Sequence, residues 1–488
     1  MFKFDQKNAI STTFLSPIER VVEFIPRGVD GVMRVLSLSV DGKALSHAVN
    51  DGFVDVNGRA EFKLIYLDLD GAVCSANYNA DFSVRLDGDV TREDKVNVCL
   101  KVVEWSVSSS DTLTLSAVVK VDGNVTKTIP LNILTGAEDS FVTTDILTIP
   151  THVTTTSYSF PVDEETTVHE VQKVLSLDTK CSLTSAKVTD KVLDLSVDTI
   201  AIVTYVEDGI IRTATFNVAS TESVSIEDLC EGDRVKITPY VKSGRVVLHG
   251  VTGENILRFE GEIGVNIDVT RLEEIEVVKD LFSLTHHTTT TTTENNDLTY
   301  YVGSGYYTEK IQGETTLPRG EDTALVGVPA NTVFIAKTLC DDGLTVEGVA
   351  TTEIIYSSGD DLFSARAEIP YSVHLDGAFS DTVKACATVI DSSVKIKGDK
   401  AEITLTIAFN TKCYVAHQIN YISAVELGEE REVNRSGLSI YVANDGDTPW
   451  DVCKALTATP EQIAEQNIGI AYPLKQGEKI IYFRRITK

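Results

Sequence analysis

The side chains that could do chemistry here are above all carboxylates, since 72 Asp and Glu stand against 43 Lys and Arg. A glycosidase needs two carboxylates that converge on one bond. In a chain this acidic, close Asp and Glu neighbours arise everywhere, and solvated surface charge is the plainer reading. Asp68-x-Asp70-Gly71 opens like a calcium loop but lacks the later ligands and the bidentate Glu, so a turn is predicted. His286-His287 lies in the low-complexity tract Thr285 to Thr293. Adjacent side chains of an extended segment point to opposite sides, so a mobile loop is predicted there and no metal site. Eight cysteines without a C-x-x-C pair predict reduced thiols. Cys99 and Cys386 occupy matching places, with Thr238 at a third, and a packed interior position is expected for them. No Gly-x-Ser-x-Gly elbow, Walker loop, His-Glu-x-x-His or strand-borne Gly-x-Gly-x-x-Gly occurs. The expectation is a protein that is not an enzyme and takes no metal or cofactor.

Recognition chemistry concentrates in the tail from Leu438 onward. Two loops there, Asp445 to Thr448 and Ile468 to Tyr472, could face each other across a groove where backbone amides and small side chains meet an acetamido group. The candidate binding residues are Gly446, Asp447, Thr448, Asn467, Ile468, Gly469, Ile470 and Tyr472. Asp447 and Thr448 are at the same time helix-capping residues, and Trp450 and Ile463 are expected in the core rather than at a ligand.

The elements that must hold these loops are legible. Leu438 to Val442 reads as a strand. Thr448, Pro449 and Asp451 then give a capped helix start, with the helix running to about Leu456. Thr459, Pro460 and Gln462 give a second start at once, with a helix to about Asn467. Lys479 to Phe483 closes the unit as a strand. Trp450, Val452, Cys453 and Leu456, with Ile463 and Ala464, supply the apolar faces. The tail carries about six basic and six acidic residues, so the formal charge of −29 resides in the preceding chain.

That preceding chain is predicted to be β-rich, from its abundant Val and Thr and its period-two alternation, as in Arg59 to Tyr66 and Ala401 to Ile407. With 488 residues it should form several domains. It repeats. Val35-Leu36-Ser37-Leu38, Val174-Leu175-Ser176-Leu177 and Leu325-Val326-Gly327-Val328 are each followed, about 31 residues on, by Leu64-Ile65-Tyr66, Ile202 to Tyr205 and Ile354-Ile355-Tyr356. Turn residues follow at Asp70-Gly71, Asp208-Gly209 and Gly359-Asp360. Asp81 to Gly88 matches Pro370 to Gly377, and Ile25-Pro26, Phe160-Pro161 and Leu317-Pro318 mark extended lead-ins. The expected fold is mainly β: three antiparallel sandwich or barrel-like units over 13–135, 151–281 and 300–430, then a small βααβ domain over 438–488. Linkers are predicted at Gly136 to Thr167, Phe282 to Glu314 and Glu426 to Gly437, with extra strands in parts of the first two.

Tyr441, Val442, Gly446-Asp447-Thr448-x-Trp450, Ile463, Asn467, Leu474-x-x-Gly477 and Ile480 resemble the LysM pattern. Pro449 and Cys453 depart from its usual Leu and Ala. The Val-Leu-Ser-Leu lead, the Ile-x-Tyr hairpin and the Ser-Val-x-Leu-Asp-Gly segment resemble the SPOCS domain of spore-coat proteins. Repeated SPOCS units before one LysM domain are similar to spore-coat morphogenetic proteins. That likeness implies a non-enzymatic scaffold of the mother-cell cytoplasm at the forespore surface and spore coat, binding a SpoIVA-like coat ATPase or assembling with itself. LysM domains in other settings bind N-acetylglucosamine glycans such as peptidoglycan or chitin, which is the alternative function. The acidic balance argues against nucleic acid as a partner. No apolar run reaches bilayer length and Asp5 interrupts any leader-like start, so neither membrane insertion nor a secretory signal is expected.

Overall fold

The alternation seen in the sequence becomes long antiparallel strands, which hold 80% of the residues against 3% in helices. The computed structural model describes residues 1–26, 31–108, 112–251, 254–318, 322–341, 343–380, 382–431 and 437–484. The first lobe comprises β1 (Phe2–Phe24), β2 (Val32–Asn50), β3 (Phe53–Asp68), β4 (Val73–Asp87), β5 (Lys95–Ser108) and β6 (Thr114–Ala137). Its strands form two sheets, β2-β3-β4 and β1-β6-β5. The second lobe has β7 (Phe141–Val168), β8 (Val171–Thr189), β9 (Val192–Glu207), β10 (Ile210–Ser225), β11 (Arg234–Val251) and β12 (Glu254–Phe282), in sheets β8-β9-β10 and β7-β12-β11. The third has β13 (His286–Thr316), β14 (Thr323–Asp341), β15 (Gly343–Ser358), β16 (Asp361–Leu375), β17 (Thr382–Lys397) and β18 (Lys400–Glu430), in sheets β14-β15-β16 and β13-β18-β17. Each lobe packs its two sheets face to face on its own apolar core, around Phe62 and Leu115, Phe259 and Leu195, and Phe409 and Tyr356. Two curled three-stranded sheets are needed because neither could bury its apolar face alone.

One irregularity recurs. The β2/β3 ladder slips between Val35 and Ser37, β8/β9 between Val174 and Ser176, and β14/β15 between Leu325 and Gly327. The extra residues of these bulges are Leu36, Leu175 and Val326. A bulge re-aims one side chain out of the alternation. All three meet in a single cluster with Ile65, Leu67, Val206, Ile211 and Ile355, where the lobes join. The fourth strand of each lobe touches the second strand of the next, β4 on β8, β10 on β14 and β16 on β2, which closes a ring.

The stretches expected as linkers are corrected by the structure. Gly136 to Thr167 and Phe282 to Glu314 run largely inside β7 and β13. In each lobe the pair of longest strands continues past its sheet as a two-stranded ribbon: Phe2 to Ser11 with Lys127 to Ala137, Phe141 to Thr151 with Arg271 to Phe282, and His286 to Tyr300 with Val415 to Glu430. A lone ribbon is marginal in water. These three share a core of Ala9, Leu131 and Ile133, Leu147, Ile149, Ile275 and Val277, and Leu298, Ile419 and Tyr421, and so form a stalk. Asn132 Nδ2 donates to the Ser423 carbonyl at 3.1 Å, and Thr299 N–H to Ser11 Oγ at 3.0 Å. The Thr285 to Thr293 tract, expected as a mobile loop, lies largely in strand β13 and pairs with β18. Thr is β-branched and suits a strand, but a run of identical residues carries no period to read. The third predicted linker is strand as far as Glu430, and its residues 432–436 lie outside those described.

The expected turns form, with Asp208 and Gly209 at φ 52° and 77° and Gly71 at 78°. Asp68 Oδ1 accepts from the N–H groups of Asp70 and Ala72 at 3.0 and 2.8 Å, spending the first carboxylate of the calcium-like motif on its own turn.

Candidate functional site

Past the stalk, β19 (Leu438–Val442), α1 (Pro449–Leu456), α2 (Pro460–Gln466) and β20 (Lys479–Phe483) follow in order, and β19 pairs antiparallel with β20. Residues 485–488 of the expected last domain lie outside those described. Both helices are too short to persist alone and depend on their ends. Thr448 Oγ1 accepts from Asp451 N–H, and the Asp451 carboxylate takes the Thr448 N–H at 2.8 Å and its hydroxyl at 2.6 Å. These bonds hold the Asp451 carboxyl below its ordinary range. Thr459 and Gln462 repeat the box at α2. Val452, Cys453, Ala458, Ile463, Leu474, Ile480 and Tyr482 form the core. Ala464, expected on an apolar face, is exposed.

The loop at Asp445 to Thr448 is joined to the chain just past the second predicted loop, at Leu474. Gly446, at φ 91°, donates its N–H to the Leu474 carbonyl at 2.8 Å, and Leu474 N–H donates to the Asp447 carbonyl at 2.9 Å. The Asp447 carboxylate accepts from the Tyr441 hydroxyl at 2.6 Å and from Asn444 N–H at 2.7 Å. The Asp447 bond, with burial, pushes the Tyr441 hydroxyl up to about 12. Thr448 is occupied as the cap. Asn467 lies at the end of α2, where its Nδ2 donates to the Ile463 and Ile481 carbonyls and its Oδ1 accepts Ile481 N–H at 2.9 Å. Gln466 does the same for Phe483, its Oε1 accepting the N–H and its Nε2 donating to the carbonyl. The outer edge of β20 is therefore sealed by two side-chain amides. Of the eight predicted residues, Asp447, Thr448 and Asn467 have their polar atoms committed within the domain. Gly446 and Gly469 shape the loops at φ 91° and 85°. Ile470 is half-buried against the core. Ile468, 92% exposed, and Tyr472, 36% exposed, present side chains outward.

A larger apolar surface lies elsewhere on the domain. Leu438, Ile440, Val442, Ile481 and Phe483 are all exposed on one face of the β19–β20 pair. Sequence alternation places such residues inward. Here the opposite face, with Ile480, Tyr482 and Tyr441, covers the helices. The signal available beforehand was that Lys479 to Phe483 carries large side chains on both faces, so one set had to stay outside.

The domain sits on the end of the stalk. Phe282 stacks on Phe141 at 5.3 Å and meets the Trp450 ring edge-on at 5.0 Å. Trp450 Nε1 donates to Asp280 at 2.9 Å, and Lys454 Nζ pairs with the same carboxylate at 2.6 Å.

Two sites within the ring also differ from expectation or escaped it. Cys99, Thr238 and Cys386 each precede by three residues the start of a slip in their ladder, at Val102, Val241 and Val389. They are equivalent by register, but Cys99 and Cys386 are solvent-reachable rather than packed inside. Lys101 Nζ lies 3.3 Å from Cys386 Sγ, and Lys412 Nζ lies 2.6 Å from Thr238 Oγ1. Surrounding residues crowd the Cys99 thiol and push it up to about 11. At the seam of the first and third lobes, Glu353 is buried and accepts from Leu38 N–H at 3.0 Å, Trp105 Nε1 at 3.2 Å and Ser37 Oγ. Burial pushes its carboxyl up despite these donors. Arg366 stacks over Trp105 at 4.4 Å and donates to its carbonyl. A Glu in a strand that also holds three Thr gives no sequence warning of such a role.

Among the described residues no group of three or more His, Cys, Asp and Glu side chains is placed to hold a metal ion, and no helix is long and apolar enough to cross a membrane. Comparison with protein-family models, with curated proteins and with solved structures finds no match.

Proposed function

We propose that the protein is a non-enzymatic scaffold of spore-coat assembly, of the SipL kind, in which three SPOCS-like repeats build a rigid platform and a terminal LysM-like domain docks a coat protein. The observation that carries this reading is the threefold recurrence of strand order and bulge, with Leu36, Leu175 and Val326 brought to one junction. A ring joined at such a junction and continued into a shared stalk suits load-bearing, and the stalk presents the terminal domain at its end through Phe282 and Asp280. On this reading the partner is a SpoIVA-like coat ATPase, met on the mother-cell side of the forespore surface. Co-purification of that ATPase with the full chain and with a chain ended before Gly437 tests it: recovery with the full chain alone is expected, and equal recovery with both refutes docking through the tail.

The alternative is binding of an N-acetylglucosamine glycan. It is favoured by the hydrogen bonds that hold Gly446 and Asp447 to Leu474, just past the loop Ile468 to Tyr472, and by the outward side chains of Ile468 and Tyr472 on that loop. Calorimetry with chitin oligomers distinguishes it. Heat lost on Ile468→Lys would support the glycan.

A further inference from the structure

The β19–β20 pair has one face on the helices and the other bare. On the bare face Leu438 stands opposite Phe483, Ile440 opposite Ile481, and Val442 opposite Lys479. Phe483, Val442 and Ile440 are each more than half exposed, at 57, 56 and 55%. Apolar side chains gathered this way, in a chain with formal charge −29, mark a contact surface rather than scattered exposure. Lys479 adds polarity to one end, and its ammonium has no hydrogen bond or ion pair with the described residues.

The shape of the face selects its occupant. Five residues of strand span about 17 Å, and two strands with their side chains are about 10 Å wide. That strip is the footprint of one α-helix about 11 residues long, since a helix is about 10 Å across and rises 1.5 Å per residue. An added strand would widen the sheet and leave the face bare, whereas a helix laid along it covers all five apolar side chains. The two helices among the described residues, of eight and seven residues, both serve the opposite face. A helix supplied by a partner protein fits the strip. An anionic membrane would also offer apolar and acidic groups, but a protein this acidic is repelled from it.

Resting on the reading of this domain as a docking unit, we infer that the outer face of β19–β20 receives a three-turn amphipathic helix of a partner protein, with apolar residues at i, i+3, i+4 and i+7 and an acidic residue at the end that meets Lys479. The two loops predicted from the sequence then lie beside the contact rather than at its centre.

The test uses the full chain and a fluorescent, hydrocarbon-stapled peptide of this pattern ending in Glu, followed by anisotropy. Binding should weaken roughly tenfold or more in Ile440→Lys and in Phe483→Lys, as for central apolar residues of a contact, and stay unchanged in Ile468→Lys. Lys479→Glu should weaken binding of the Glu peptide and strengthen that of a peptide ending in Lys. Ile440→Ser, which keeps the strand and removes the apolar contact, guards against a folding defect. Peptide affinity equal in all variants overturns the inference, as does binding only to phosphatidylglycerol vesicles. Repeating the series with the coat ATPase separates the two claims. Loss in Ile468→Lys alone leaves docking standing and removes this face from it, whereas peptide binding without ATPase binding removes that partner and keeps the face.

Discussion

Asp280 of the stalk accepts the indole N–H of Trp450 at 2.9 Å while it pairs with Lys454 of the same helix. A single carboxylate thus ties the terminal domain to the ribbon that carries it. Asp280→Ala leaves the half-buried indole without an acceptor and should weaken the seating by about 1–2 kcal/mol. Only two tryptophans are present, Trp105 and Trp450. In a Trp105→Phe background, the fluorescence of Trp450 reports the seating directly, and its melting midpoint should fall on Asp280→Ala.

Two carboxylates, half-buried Asp280 and buried Glu353, respond to pH with opposite sign. Burial raises the Asp280 carboxyl, but the Lys454 and Trp450 bonds outweigh it and leave it below its ordinary value. Its contribution is present at neutral pH and is lost as pH falls through the lowered folded value. Glu353 is held above its ordinary value by burial. The folded state then favours the protonated form, so its contribution is largest in acid and declines as pH rises through the raised folded value. As pH falls from neutral, the lobe seam should gain first, and the domain's seating should weaken only below about pH 4, as pH passes the ordinary Asp value toward the lowered folded one. Trp450 and Trp105 fluorescence in single-Trp variants resolves the two, and parallel changes would contradict the assignment.

The bulge residues hold the ring. Leu36→Ala removes a side chain 1% exposed at the junction and should cost about 2–5 kcal/mol. Leu45, at a second slip in the same ladder, is 49% exposed, and Leu45→Ala should cost less than about 0.5 kcal/mol. Urea denaturation compares them. Equal losses would mean that the bulge does not deliver Leu36 to a shared core.

Thiol chemistry offers another check. Crowding pushes the Cys99 thiol up to about 11, which leaves little thiolate at neutral pH. Iodoacetamide should label exposed Cys230 well before Cys99, as followed by peptide mass spectrometry.

Much of this was legible in the chain because it is local. Alternation gave the β class, Asp-Gly gave the hairpins, and Thr448 and Thr459 gave both helix starts. What escaped is set at long range. The Thr285–Thr293 run looks like a loop until Val415 to Glu430 supplies a partner strand. Leu36 looks like an ordinary strand residue until a one-residue slip turns it to the junction. The loops at Asp445 to Thr448 and Ile468 to Tyr472 were expected across a groove, but Gly446 and Asp447 bond to Leu474, just past the second loop, and Ile468 stays exposed. Leu438, Ile440 and Val442 look like core because period two cannot say which face lies inward.

On the proposed function the terminal domain grips a protein. Titration calorimetry of the full chain against the purified coat ATPase, and in parallel against chitin hexamer, tests it most directly. Saturable heat with the ATPase that vanishes in Phe483→Lys, and none with the hexamer, is the predicted result. Heat with the hexamer and none with the ATPase would contradict it.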